Sequence, residues 1–207
     1  MNVGILALQG DFALHQARVH QLGARSMLVR KAEQLPALDA LIIPGGESTT
    51  MLRLADSHLW EQLQQSIAAG LPVLATCAGL ILLAKNVSNP AQKSFGLIDL
   101  DICRNAYGRQ VDSFISPELN WTGAGRDFLE QLLAEEGRQA GTRMLEGVFI
   151  RAPKVTRVGA DASVLVECGK EPVLIRQGNI LGATFHPELA ANAGVVHELL
   201  FAMTHSG

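Results

Sequence analysis

The sequence predicts an α/β fold in which a doubly wound, largely parallel central sheet is flanked by helices, with an antiparallel strand region added in the second half. Three observations carry this expectation. Short runs in the first half are apolar throughout instead of alternating, as strands buried on both faces must be. Stretches with helical spacing separate those runs, the order expected of β–α–β units. From residue 98 onward the runs shorten and follow one another mostly without such helices, as antiparallel strands do.

The elements follow in order. Residues 3–8 are a continuous apolar strand. Residues 12–22 place Phe12, Val19 and Leu22 at helical spacing, and Gly23 stops that helix. Strands are expected at 26–29 and 39–43, the second ended by Pro44-Gly45-Gly46. Ser48–Leu54 and residues 59–69 read as helices, and Gly70-Leu71-Pro72 breaks the chain before a fourth strand at Val73–Thr76. A helix starts right after Cys77. Further strands are expected at 98–104, 111–115, 147–150, 163–167, 173–176 and 180–185, with Gln177-Gly178-Asn179 as a tight hairpin turn. Residues 195–203 form a closing helix. The polar, glycine-containing stretch 116–144 reads as a surface insertion with a short helix at 128–136. One domain spanning 1–207 is expected from this length.

Composition excludes several classes. Net charge is −3 and no Lys/Arg cluster stands out, which argues against a nucleic-acid partner. No apolar run reaches the roughly 18 residues needed to span a membrane. Met1-Asn2-Val3-Gly4-Ile5 lacks the basic segment of a signal peptide. Three cysteines are an odd count without metal-type spacing, which points to a reducing compartment, the cytoplasm, and away from a disulfide framework.

Chemistry concentrates in three segments. In Leu71-Pro72-Val73-Leu74-Ala75-Thr76-Cys77-Ala78-Gly79-Leu80, one cysteine stands where a strand gives way to a helix. A thiol so displayed faces unpaired N–H groups and the positive end of the helix dipole, which favour the nucleophilic thiolate. Ala75, Ala78 and Gly79 are small, as a tight elbow demands. Cys103 and Cys168 lie on strand-like segments and read as small buried hydrophobes.

In Phe185-His186-Pro187-Glu188, proline pushes His186 to an extended conformation. Residues i and i+2 of an extended chain share a side, so Glu188 can hold one imidazole nitrogen while the other faces the thiol. The other five histidines (His15, His20, His58, His197 and His205) sit on helical or terminal segments and read as surface. Pro44-Gly45-Gly46-Glu47-Ser48 follows a buried strand and precedes a helix. It lacks the Gly-Lys-Ser/Thr ending of a nucleotide loop. Beside a thiolate its natural role is an oxyanion hole, with donors at the Gly46 and Ala78 N–H groups. The same turn also reads as an ordinary β–α connection capped by Ser48.

These segments together resemble the class I glutamine amidotransferases, and within them the glutaminase subunits of pyridoxal 5′-phosphate synthase. The resemblance rests on Leu8-Gln9-Gly10, Pro44-Gly45-Gly46-Glu47-Ser48-Thr49, Thr76-Cys77-Ala78-Gly79-Leu80, Arg104-Asn105-Ala106-Tyr107-Gly108-Arg109-Gln110, Phe149-Ile150-Arg151-Ala152-Pro153 and Phe185-His186-Pro187-Glu188-Leu189. It implies hydrolysis of L-glutamine to glutamate and ammonia, without metal or organic cofactor on this chain. The ammonia would pass to a synthase subunit in a hetero-oligomeric complex. Cys77 would be the nucleophile, His186 the general base and then acid, and Glu188 its orienter. Gly46, Glu47, Ser48, Arg104, Ile150 and Arg151 would contact glutamine. Two departures from the family pattern stand out: Ala75 replaces a usual glycine, and the 116–144 stretch is longer. Two rival readings remain at this level, another cysteine hydrolase of similar fold and a catalytically inactive binding subunit.

Overall fold

The computed structural model describes residues 1–105, 113–135, 144–190 and 194–204. The chain opens with β1 (Asn2–Leu6), α1 (Phe12–Gln21) and β2 (Arg25–Val29). A 3-10 turn (Ala32–Ala37) leads to β3 (Ala40–Ile43), α2 (Ser48–Leu54), α3 (Ser57–Ala68) and β4 (Val73–Thr76). Then come α4 (Ala78–Leu83), β5 (Ala84–Ser88), β6 (Ile98–Cys103), β7 (Ser113–Ser116), β8 (Asn120–Trp121) and α5 (Gly123–Glu135). The chain continues with β9 (Gly147–Ile150), β10 (Lys154–Val158), β11 (Ser163–Cys168), β12 (Glu171–Gln177), β13 (Ile180–Ala183) and α6 (Gly194–Met203).

Eight strands form the main sheet in the order β2-β1-β3-β4-β13-β12-β11-β8. The first five are mutually parallel and the last three join antiparallel. The doubly wound expectation therefore holds, and so does the added antiparallel region. Successive residues of one strand divide between two cores. Leu74 packs with Val3, Ile5 and Ile42 against residues of α1, α5 and α6, while Val73 and Ala75 pack with Leu6, Leu41 and Ile43 against α2, α3 and α4. A run apolar at every position is what this two-sided burial requires. Each such Val, Leu or Ile withdrawn from water contributes about 1.5–3 kcal/mol before entropy is counted.

Several elements depart from expectation. The helix after Cys77 lasts only six residues, because Ala84 turns the chain into β5, which pairs with β6. β5, β6 and β10 make a separate three-stranded sheet, and β7 and β9 a two-stranded one. The stretch expected as a surface insertion reaches inward: Leu119, Phe128, Leu129 and Leu132 are buried in the core shared with α6. The expected strand at 111–115 is seen from Ser113 onward, and residues 111–112 lie outside the described residues, as do 136–143. Cys103 and Cys168 are half-buried instead of enclosed. Among the described residues, no helix is long and apolar enough to cross a membrane.

The fold positions chemistry at one edge of the sheet. The carboxyl ends of β1, β3, β4 and β13 lead directly to Gln9–Asp11, Gly45–Ser48, Cys77 and His186–Glu188 respectively. A doubly wound sheet opens its crevice there, because helices leave the carboxyl ends of neighbouring strands for opposite faces.

Candidate active site

Cys77 is the N-cap residue of α4, with φ 46° and ψ −102°. This is strained backbone for a side-chain-bearing residue and needs restraint on both sides. The restraint is present: the Cys77 N–H donates to the Ala183 carbonyl at 2.8 Å, and its carbonyl accepts from the Ile81 N–H at 3.2 Å. Ala75, two residues back, is fully buried and pairs with Ile43 on one side and Gly182 on the other. Ala78 is the first residue of α4, so its N–H belongs to those a helix leaves without an internal partner.

His186 and Glu188 lie just past β13, and both are buried. The His186 N–H donates to the Val148 carbonyl of β9 at 2.8 Å, which docks this segment on the two-stranded sheet. Its Nδ1 lies 2.7 Å from Oε1 of Glu188, and the ring also hydrogen-bonds Cys77. Burial alone would lower the pKa of this imidazole, but the hydrogen bonds and charges of Cys77 and Glu188 outweigh it and raise it to about 10. The expected pairing of His186 with Glu188 is present, but not through an extended chain: residues 187–189 form a turn, closed by the Leu189 N–H donating to the His186 carbonyl at 3.2 Å.

Cys77 and His186 open on a cavity of about 330 Å³ lined also by Gly46, Glu47, Ser48, Arg104, Ile150 and Arg151. Every residue expected to contact substrate is thus on one wall or another. Gly46 has φ 146°, a conformation that side chains rarely adopt. Nη2 of Arg104 lies 3.0 Å from Oε1 of Glu47 and donates to Oγ1 of Thr49 at 3.2 Å. The cap of α2 is Glu47, not Ser48: its carboxylate accepts from the N–H groups of Thr49 (3.3 Å) and Thr50 (2.8 Å). Slight burial pushes the Glu47 carboxyl upward, but the bonds from Thr50 and Thr49 outweigh it and hold it below its ordinary range. Ser48 is instead buried, donating its hydroxyl to Oε1 of Gln92 at 2.9 Å. Residues 106–110 of the Arg104 motif lie outside the described residues.

Gln9, Asp11, Ile81 and Asn105 complete the lining. Gln9 accepts from the Glu47 N–H at 2.6 Å, tying the turn after β3 to the segment after β1. The sequence gives no strong signal for Asp11, whose Oδ2 lies 3.9 Å from Nδ1 of His186. Asp11, His186 and Glu188 place one donor atom each within 4.8 Å of one another. Within that group His186 is hydrogen-bonded to Glu188, while Asp11 stands farther off at the cavity wall. Two histidines correct the surface expectation: His15 and His197 are wholly buried, with His15 Nδ1 2.9 Å from His197 Nε2. His20 and His58 are exposed as expected, and His205 lies outside the described residues.

A buried thiol joined to an imidazolium, itself held by a carboxylate, can add to an acyl carbon and release a protonated leaving group. Comparison with known proteins agrees with that chemistry. The family model described as SNO glutamine amidotransferase matches residues 5–206. The pyridoxal 5′-phosphate synthase subunit PdxT of Koribacter versatilis is 44% identical over 207 residues, covering 100% of this chain and 97% of the relative. The subunit of the same name from Solibacter usitatus is 47% identical over 203 residues, covering 97% of each. A crystal structure of a glutamine amidotransferase superposes with a TM-score of 0.81 at 40% identity, covering 97% of this chain and 98% of that one.

Proposed function

This chain belongs to the SNO glutamine amidotransferase family, and from that premise we propose that Cys77, His186 and Glu188 carry out its glutamine hydrolysis. The chain is a glutaminase that feeds ammonia to pyridoxal 5′-phosphate synthesis, as its full-length relatives are subunits of that synthase. Its partner is the synthase subunit, in a hetero-oligomeric complex. Residues 1–207 act as one glutaminase domain, a reading supported by two cores that each draw on the first and second halves of the chain. Three free cysteines support a reducing, cytoplasmic setting.

The observation that carries the residue assignment is that His186 bonds both Cys77 and Glu188 at the wall of a cavity ringed by Arg104, Glu47 and Arg151. Arg104 presents a guanidinium fork suited to the α-carboxylate of glutamine. Gly46, Glu47, Ser48, Ile150 and Arg151 contact the rest of the substrate.

The Cys77 thiolate attacks the side-chain amide carbon, the C–S bond forms, and the carbonyl electron pair moves onto oxygen. The Gly46 and Ala78 N–H groups receive that oxyanion. The His186 imidazolium protonates the amide nitrogen, the C–N bond breaks, and ammonia leaves a γ-glutamyl thioester. Acylation removes the Cys77 charge, one of the influences that hold the imidazolium near pH 10. His186 is then free to act as base, takes a proton from water, and hydroxide adds to the thioester. Collapse expels the Cys77 thiolate and releases glutamate.

The test is glutamate release from L-glutamine by wild type and Cys77→Ala, each with and without the synthase subunit. Release that disappears in Cys77→Ala is expected. Release that persists in the variant refutes the assignment, and release of peptides from casein in place of glutamate favours a different cysteine hydrolase.

A further inference from the structure

Glu188 offers two carboxylate oxygens, and His186 takes only one. The other, Oε2, is buried and makes no hydrogen bond of ordinary geometry among the described residues. Nε2 of His15, on α1, lies 3.3 Å away. Nδ1 of His15 lies in turn 2.9 Å from Nε2 of His197 on α6. A contiguous path thus runs from Cys77 through His186, Glu188 and His15 to His197, all buried. The backbone of Glu188 is held from the same helix, since Nε of Arg18 donates to its carbonyl at 3.1 Å.

One arrangement of protons joins the groups of this path. An ionised carboxylate only accepts, so His15 can serve Oε2 only in the tautomer that carries its hydrogen on Nε2, the nitrogen that Thr76 Oγ1 also approaches at 3.4 Å. A neutral imidazole has one N–H, which leaves Nδ1 of His15 bare to accept from the Nε2–H of His197. Burial first, and then the neighbouring His197 and His186, hold the His15 pKa well below 6.5, so the ring is neutral under ordinary conditions. The groups around it are His197 from α6, Thr76 from β4 with its hydroxyl 3.4 Å from Nε2, His186 and Glu188 beyond β13, and Arg18 and Asp11 on or capping its own helix.

We propose that His15, backed by His197, is a positioning residue of the catalytic triad, donating to the outer oxygen of Glu188 so that this buried carboxylate stays ionised and turned toward His186. The proposal rests on the triad assignment above. A buried carboxylate with an unpaired oxygen is costly, and it lowers that cost by protonating or turning away. Either response weakens its hold on the His186 imidazolium, and with it the thiolate–imidazolium pair. His15 itself does not line the cavity, so substrate affinity is not its concern.

The test compares His15→Leu with His15→Gln, whose side-chain amide nitrogen reaches about where Nε2 of histidine stands. The first readout is the pH profile of iodoacetamide alkylation at Cys77, followed on the Cys77 peptide in the chain alone, and needs neither glutamine nor partner. The second is glutamate release with the synthase subunit. For His15→Leu, the acidic limb of the alkylation profile is expected to move up by on the order of one pH unit, a tenfold change in the equilibrium. Its kcat is expected to fall about 10- to 100-fold, the range seen when an outer partner of a functional side chain is removed, with KM little changed. His15→Gln recovers most of both.

A folded His15→Leu with wild-type profile and kcat overturns the proposal, as does equal impairment of both variants, which would mean packing alone. If His15→Leu does not fold, His197→Leu carries the test: a shift in the same direction supports the path and a wild-type profile overturns it. Failure of the triad assignment is read separately, from glutamate release that survives Cys77→Ala.

Discussion

Gly45 and the ring of His186 share the space in which any other residue's Cβ would stand. A Cβ built at Gly45 overlaps Cε1 of that ring, comes within 3.0 Å of its Nδ1, and within 3.4 Å of the Cys77 Cβ. The ring cannot yield cheaply, because Glu188 and Cys77 hold both its nitrogens. Gly45→Ala is therefore expected to displace His186 and lower kcat on the order of 100-fold, the penalty of a misplacement near 1 Å. The melting temperature, measured alongside, is expected to stay within a few degrees. Unchanged turnover would show that the ring has slack which the geometry denies.

The buried histidines pull stability in opposite directions with pH. Burial opposes protonation of His186, but Cys77 and Glu188 outweigh it and hold its pKa at about 10. Below about 6.5 folded and unfolded chains both keep that proton. Between 6.5 and about 10 only the folded chain does, so this contribution is complete at low pH and fades as pH rises through that window. His15 behaves oppositely: its folded pKa is depressed, so below 6.5 the unfolded chain gains a proton that the folded one refuses, and stability falls with acidification. Thermal melts across pH test both. Cys77→Ala is expected to flatten the alkaline decline, and His15→Gln the acidic one. Parallel curves for all three proteins would contradict the assignment.

Which features were legible in the sequence follows from how local their causes are. The strand at Val73–Thr76, the helix at Ser48–Leu54 and the elbow at Cys77 are each specified by adjacent residues, and the structure reproduces them. His186 and Glu188 were legible as a pair because they stand two residues apart, although a turn closed by Leu189 onto His186, not the extended chain expected beside Pro187, brings their side chains together. His15 was not, because its burial depends on α6, which meets it from 182 residues away. Its neighbours Leu14 and Gln16 do not mark the helix face as apolar. β5 was missed for a similar reason: Ala84–Ser88 is half polar and becomes a strand only by pairing with β6. The 116–144 stretch looked superficial because its glycines and charges mask the spacing of Phe128, Leu129 and Leu132, which only the facing α6 and β11 reveal.

Arg104 and Glu47 separate binding from chemistry. The guanidinium rests 3.0 Å from the Glu47 carboxylate, and on the proposed reading the carboxylate of glutamine takes over that fork. Arg104→Met keeps the apolar stem and removes the fork, so KM for glutamine is expected to rise at least about tenfold with kcat nearly unchanged. Glu47→Ala also removes the cap of α2, at a cost of about 1 kcal/mol in stability. Steady-state kinetics with melting curves distinguish the two, since only the second variant should melt earlier. A fall in kcat without a change in KM for Arg104→Met would move that residue from binding to the chemical step.

Ala75 stands where the resemblance leads one to expect glycine, and its surroundings say what it does. The residue is fully buried in β4, between Ile43 and Gly182 of the flanking strands, and packs in the core facing α2, α3 and α4. Its methyl group points into that core. The strain at Cys77 is held by bonds to Ala183 and Ile81, neither of which involves Ala75. Ala75→Gly should thus loosen the strand without touching the elbow. The added backbone freedom costs about 0.5–1 kcal/mol, and the buried methyl about 0.8 kcal/mol more. The expected result is a lower melting temperature with kcat and KM for glutamine at wild-type values. A gain in turnover would instead mean that the methyl constrains the nucleophile through the strand, and that this chain gives up rate at Ala75 for a firmer sheet.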